Sequence, residues 1–93
     1  MEYWKVVWHH DFKEEPVVLF SEIGADRYET RKVAEFRDGQ VLKADESHEG
    51  PMVGLSEVPV GVIEDVMGQP EFSASLISHR EFEEVWDQAV WPS

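Results

Sequence analysis

The sequence predicts an α+β fold: a four-stranded antiparallel β-meander with a short helix and a C-terminal amphipathic helix packed on one face. Three observations predict it. Residues 2–10 alternate with a period of two, Trp4, Val6 and Trp8 on one side and Tyr3, Lys5, Val7 and His9 on the other. Turn-forming stretches at Gly24-Ala25-Asp26 and Asp38-Gly39 divide the apolar runs that follow. Near the C-terminus, Phe82, Val85, Trp86, Ala89 and Val90 recur at helical spacing as one apolar stripe. With 93 residues and no linker, repeat or low-complexity stretch, the chain reads as one domain over 1–93.

The first strand is expected over 2–10, and Asp11 to Glu15 is a polar connection ended by Pro16. The second, 16–23, carries Val17-Val18-Leu19-Phe20, apolar on both faces and so internal to a sheet. The third spans 27–36, and its apolar positions change parity between Val33 and Phe36, which one β-bulge would absorb. Asp38-Gly39 predicts a type I′ hairpin with φ > 0 at both central residues, returning into a fourth strand over 40–45. An acidic loop follows from Asp45 to Gly54, with room for a short extra strand around Met52 to Leu55. A helix is expected over 61–67, stopped by Gly68 and barred from continuing by Gln69-Pro70. The final helix, 79–90, has Ser78 and Glu81 spaced as a capping box and Ile77 and Phe82 as a hydrophobic staple. It is expected to bury Trp86 against the Trp4/Val6/Trp8 face.

Charge bounds the function. Twenty Asp and Glu against eight Lys and Arg give −12, and residues 44–93 hold eleven carboxylates against Arg80 alone. Such a surface repels phosphate backbones and anionic lipid, so neither nucleic acid nor membrane is an expected partner. A basic protein would be attracted. Without Cys there are no disulfides or thiolate metal sites. No apolar run approaches the roughly 20 residues of a membrane span, and Met1 to His10 has no signal-peptide pattern. The expectation is a cytoplasmic protein.

Two clusters are candidate sites. His9, His10 and Asp11 close the first strand, with Glu14 and Glu15 in the loop beyond. His9 and His10 point to opposite faces, so they do not chelate one ion together. His10 with Asp11, Glu14 or Glu15 would suit Zn²⁺ if the loop folds back. The competing reading has His10 or Asp11 bonding nearby backbone to hold the turn. The second cluster, Asp45, Glu46, His48 and Glu49, lacks calcium-loop spacing and reads as a solvated acidic loop. No nucleophile elbow, phosphate loop or zinc-protease helix is present, and no cofactor is expected. The preferred expectation is a non-catalytic acidic binding protein engaging a basic protein partner, immunity- or inhibitor-like. The alternatives are a small-ligand or metal-binding domain around His9, His10 and Asp11, or a homodimer joined through the second sheet face.

A string of local signatures runs through the chain: Trp8-x-His10-Asp11-Phe12, Glu15-Pro16-Val17, Ser21-Glu22-Ile23 and Asp26-Arg27-Tyr28-Glu29-x-Arg31-Lys32-Val33. Phe36-x-Asp38-Gly39, Leu55-x-Glu57-x-Pro59, Pro70-Glu71-Phe72 and Ile77-Ser78-x-x-Glu81-Phe82-Glu83-x-x-Trp86 continue it. In these the chain resembles a family of short bacterial proteins, common in actinobacteria, that carry a domain of unknown function. The resemblance covers nearly the whole chain and implies no activity. The chain departs from it at Lys13, where the pattern has Pro, and in a shortened loop from Gly50 to Gly54.

Overall fold

The computed structural model describes residues 1–50 and 52–92. In chain order its elements are β1 (Glu2–Trp8), β2 (Pro16–Ile23), β3 (Glu29–Phe36), β4 (Val41–Asp45), α1 (Ile63–Met67), β5 (Phe72–Leu76) and α2 (His79–Gln88). All strand pairs are antiparallel in one sheet of order β4-β3-β2-β1-β5. The fold is α+β with an antiparallel sheet, but the sheet has five strands where four were expected. The addition, β5, alternates Phe72, Ala74 and Leu76 with Ser73 and Ser75. It pairs with the far side of β1 from Trp4↔Leu76 to Trp8↔Phe72. β1 is therefore internal to the sheet, paired with β2 on one side and β5 on the other.

The two helices lie on opposite faces. Trp4, Val6 and Ile23 bury against Ile63 of α1, with Leu19, Val60, Val66, Phe72 and Ala74 around them. Beside them Ala34, Phe36, Leu42 and Ala44 receive Val53 from the loop after β4, and no strand forms over 52–55. On the other face Phe20 and Val33 bury against Phe82 of α2 and Ala89 just beyond its end, flanked by Tyr3, Val18, Ile77, Val85 and Trp86. This corrects the expectation that both helices share the Trp4/Val6/Trp8 face. Phe72, Ala74 and Leu76 face α1, so Ile77 faces the other way and leads the chain there, its N–H donating to the Tyr3 carbonyl at 2.8 Å. The second face, expected to be free for a homodimer, carries α2.

At the start of α2, the Ser78 hydroxyl accepts from Glu81 N–H at 3.1 Å and the Glu81 carboxylate from Ser78 N–H at 3.2 Å. The helix ends at Gln88 instead of Val90. Ala89 is extended, and Val90 pairs in parallel with β4, donating to Val41 O and accepting from Lys43 N, each at 3.0 Å.

The β3–β4 connection also differs. Gly39 N–H donates to Phe36 O and Phe36 N–H to Gln40 O, and only Gly39 has positive φ, +95°. This is a three-residue loop closed by a left-handed residue, not a two-residue type I′ turn. The β2–β3 loop repeats it with Arg27 (φ +70°) in the left-handed position. In each, the preceding Asp accepts from the N–H two residues on, Asp26 from Tyr28 and Asp38 from Gln40. The irregularity expected between Val33 and Phe36 lies in the β2–β3 ladder and takes its extra residue from β2: Val17 falls between the pairs Pro16↔Phe36 and Val18↔Glu35, while β3 pairs with β4 without a break from Arg31 to Glu35. A second shift, with the extra residue on β3, falls at Thr30. The change of parity reflects burial on both faces, Val33 toward α2 and Ala34 and Phe36 toward α1.

Candidate functional site

The β1–β2 loop is built around His10. Its Nε2 lies 2.8 Å from the Pro16 carbonyl, and its Nδ1 accepts from Phe12 N–H at 2.9 Å. These partners fix the tautomer with hydrogen on Nε2. The ring also packs on Trp8, centroids 4.2 Å apart, and stacks on Phe12 at 5.3 Å. Arg37 from the β3–β4 turn donates to His10 O at 2.7 Å. Both ring nitrogens are thus occupied by backbone, so the geometry favours the turn-holding reading of His10 over the ligand reading.

His9 points to the opposite face, where its Nε2 meets Ser73 Oγ at 2.7 Å and stitches β1 to β5. Asp11, Glu14 and Glu15 are exposed. Glu14 and Glu15, with Trp8, Phe12 and Lys13, line an open depression of about 520 Å³. Asp45, Glu46 and Glu49 are not brought to this loop. Asp45 lies at the opposite end of β4 from the Arg37–Gln40 turn. Its Oδ1 accepts from Ser47 N–H at 2.9 Å and sits 3.2 Å from His48 Nδ1. Partial burial opposes its charge, but these bonds outweigh it and hold the carboxyl below its usual range. Glu49 accepts from Leu55 N–H at 2.7 Å, bracing the acidic loop, and Glu46 is exposed. Among the described residues no group of three or more His, Asp and Glu is arranged to hold a metal ion, and no helix is long and apolar enough to cross a membrane.

Two buried carboxylates went unnoticed in the sequence. Glu22 accepts from Arg31 Nε at 2.9 Å and Nη2 at 2.6 Å, and from the Thr30 hydroxyl at 2.6 Å. Arg31 also bonds Glu83 of α2 and lies over the Phe82 and Trp86 rings at 4.9 and 4.8 Å. Burial pushes the Glu22 carboxyl up, but the Arg31 and Thr30 bonds outweigh it and the net shift is downward. Glu29 accepts from Ser21 Oγ at 2.9 Å and Ser56 N–H at 2.6 Å and pairs with Lys32 at 3.1 Å, tying the 46–60 loop to the sheet. The bulge at Thr30 makes both arrangements: it lets Thr30 and Arg31 converge on Glu22 and sets Glu29 and Lys32 on one face.

The chain segment that covers the α1 face is one-signed. Residues 46–71, between β4 and β5, hold six carboxylates and neither Lys nor Arg. Glu46, Glu57, Glu64, Asp65 and Glu71 are exposed and form no ion pair among the described residues. Large apolar side chains stand exposed within the same layer: Met52, Val58, Val62 and Met67. Carboxylates interleaved with exposed aliphatic groups suit a surface that presents cations and apolar anchors together.

No curated protein and no solved structure matches the chain. The model of the family described as a domain of unknown function (DUF6881) matches residues 2–91, and the chain, with its five-stranded sheet and two flanking helices, belongs to that family.

Proposed function

We propose that this chain is a non-catalytic binding protein of the bacterial cytoplasm whose acidic layer engages a basic partner protein, in the manner of an immunity-type inhibitor. The observation that carries the reading is the 46–71 layer: six carboxylates, neither Lys nor Arg, and aliphatic side chains left in solvent between them. Long-range attraction speeds the encounter, and the exposed Val58, Val62 and Met67 supply apolar contact once docked. The test is affinity capture from a source-cell lysate at low and moderate salt, run beside a Glu57→Lys/Glu64→Lys/Asp65→Lys variant. The reading requires a basic protein that the original captures and the variant loses. Capture of no basic protein, or equal capture by both, overturns it.

A second reading has one observation in its favour, the depression lined by Trp8, Phe12, Lys13, Glu14 and Glu15. A small cationic or aromatic ligand would fit there. It would raise the melting temperature by mass action, and a Phe12→Ala variant would lose the increment.

A further inference from the structure

We infer that β5 is a dimerisation edge, at which two copies of this chain join antiparallel about a two-fold axis through Ala74 to make one continuous ten-stranded sheet. The two edges of the sheet are treated differently. The β4 edge is closed in part by the chain's own Val90. Among the described residues no strand lies against the outer side of β5. At its two ends Glu71 O accepts from His9 N–H and Ile77 N–H donates to Tyr3 O. By antiparallel alternation, residues 71, 73, 75 and 77 turn their backbone groups toward β1, and 72, 74 and 76 turn theirs outward. The Phe72 N–H is taken by Gln69 O at 3.0 Å. That leaves both backbone groups of Ala74 and Leu76, and the Phe72 carbonyl, as an open row.

Nothing blunts that row. Edge strands usually carry a charge, a proline or a bulge that discourages pairing. Phe72-Ser73-Ala74-Ser75-Leu76 carries none, and its register with β1 is unbroken. The segment is also complementary to itself. Antiparallel pairing about Ala74 sets Phe72 against Leu76, Ser73 against Ser75, and Ala74 against Ala74. The parity is the one in which the two Ala74 residues exchange both hydrogen bonds, so the contact is isologous and closes at two copies. Leu76, 61% exposed, gains Phe72 of the other copy as its cross-strand neighbour.

Charge favours this pairing despite the overall −12. The seam is neutral, and unlike charges flank it. Glu71 precedes β5; His79 and Arg80 follow it, and Arg80 is the one Lys or Arg after Lys43. Antiparallel registration puts Glu71 of one copy opposite Ile77 of the other, next to the start of its α2, and two-fold symmetry repeats the contact. Arg80 is 89% exposed, with only an exposed 3.4 Å pair to Glu84 to give up.

The test is the mass of the full chain in solution, by light scattering on a sizing column from micromolar to millimolar concentration. The expected result is a shift from one chain to two. Ala74→Pro removes an outward N–H and leaves pairing with β1 in place, so it holds the mass at one chain with the circular dichroism unchanged. Leu76→Lys, at an exposed side chain, does the same if the proline variant fails to fold. Glu71→Lys and Arg80→Glu each weaken association at least several-fold, and the double variant recovers it. A single-chain mass up to millimolar overturns the inference, as does a dimer that survives both Leu76→Lys and a folded Ala74→Pro.

Discussion

Replacing Arg31 with Met leaves the Glu22 carboxylate stranded between the sheet and α2. Glu22 is 6% exposed, and after the change it keeps only the bonds from the Thr30 hydroxyl, at 2.6 Å, and from the Tyr3 side chain. Removing one partner of a buried ion pair costs about 3–5 kcal/mol. The Arg31 side chain is itself 20% exposed, which puts the cost at the lower end of that range. Loss of the cation over Phe82 and Trp86 adds about 1 kcal/mol, part of which the Met side chain returns by packing. The expected total is about 3–4 kcal/mol, out of about 5–14 for a domain of this size. At about 4–8 °C per kcal/mol, the melting temperature falls by at least about 12 °C. Urea melts of Arg31→Met, Glu22→Leu and the double variant form a cycle, and the double variant should recover most of the loss because no unpaired buried charge remains, Glu83 being partly exposed with His79 Nε2 3.0 Å away.

The same variant changes the pH dependence. In the parent the folded Glu22 and Glu83 carboxyls both lie below their ordinary 4.5: burial opposes the shift at Glu22 but Arg31 and Thr30 outweigh it, and at Glu83 the Arg31 bond leads. Their contribution is therefore fully present above pH 4.5 and is lost as the pH falls through the lower folded values. Without Arg31, only the Thr30 and Tyr3 bonds still oppose burial at Glu22, so its carboxyl rises toward the ordinary value and its share of the stability lost on acidification shrinks. A cost below about 1 kcal/mol, or a pH profile parallel to the parent's, would show that water reaches Glu22 and that the network is not desolvated.

Three further outcomes are expected. Gly39→Ala should cost about 1–2 kcal/mol in a chemical melt, because φ is +95° while an added Cβ meets nothing within 4 Å, so the penalty is purely one of backbone conformation. His10→Ala removes two backbone hydrogen bonds worth about 1 kcal/mol each, and limited trypsin digestion should show faster cleavage after Lys13 as the loop loosens. Ser78→Ala breaks the capping box and should cost about 1 kcal/mol, with Ser78→Asp restoring most of it.

The sequence carries the signals that neighbours in the chain create. The alternation of β1, the turn residues around Gly24 and Gly39, and the Ser78/Glu81 spacing all belong to this kind, and they suffice for an antiparallel α+β reading. Signals that depend on distant partners are not local. β5 is five residues long and two of them are Ser, so its alternation of Phe72, Ala74 and Leu76 has little hydrophobic contrast. It becomes a strand because β1 offers it an edge. The face that α2 covers is undetermined by the helix's own stripe, since both faces of the sheet offer apolar side chains, Trp4, Val6 and Ile23 on one and Phe20 and Val33 on the other; the parity of Ile77 at the end of β5 decides it. The Gly39 turn turned on a similar point, because Asp-Gly is compatible with both two- and three-residue loops and the strand register selects between them. At the candidate site, the pairing of His10 with its own loop was among the alternatives visible in the sequence. The Glu22–Arg31–Glu83 network was not, since it needs a bulge at Thr30 and a helix from fifty residues away.

The surface charge is a consequence of how the fold spends its cations. Eight Lys and Arg are available. Arg27 is held by Glu2 at 2.6 Å, Arg31 by Glu22 and Glu83, and Lys32 by Glu29 at 3.1 Å. Lys43 is drawn between the Trp86 and Trp91 rings at 4.7 and 4.9 Å, and Arg37 is turned onto the His10 carbonyl. These contacts join β1 to the β2–β3 loop and, through the Arg27 bond to Gly61 O at 2.6 Å, to the segment before α1; they join β2 and β3 to α2, and β4 to α2 and the chain beyond it. They fix the scaffold; Lys5 and Lys13, both exposed, take no part in them, and Arg80, among the described residues, pairs only with the exposed Glu84. The carboxylates of the 46–71 layer are consequently unanswered from within the chain, because the cations that would neutralise them are committed to the sheet and its α2 face. Adding cations to that layer should then leave folding intact while abolishing binding to a basic partner, whereas removing Arg31 should do the reverse damage, unfolding the scaffold before it alters the surface.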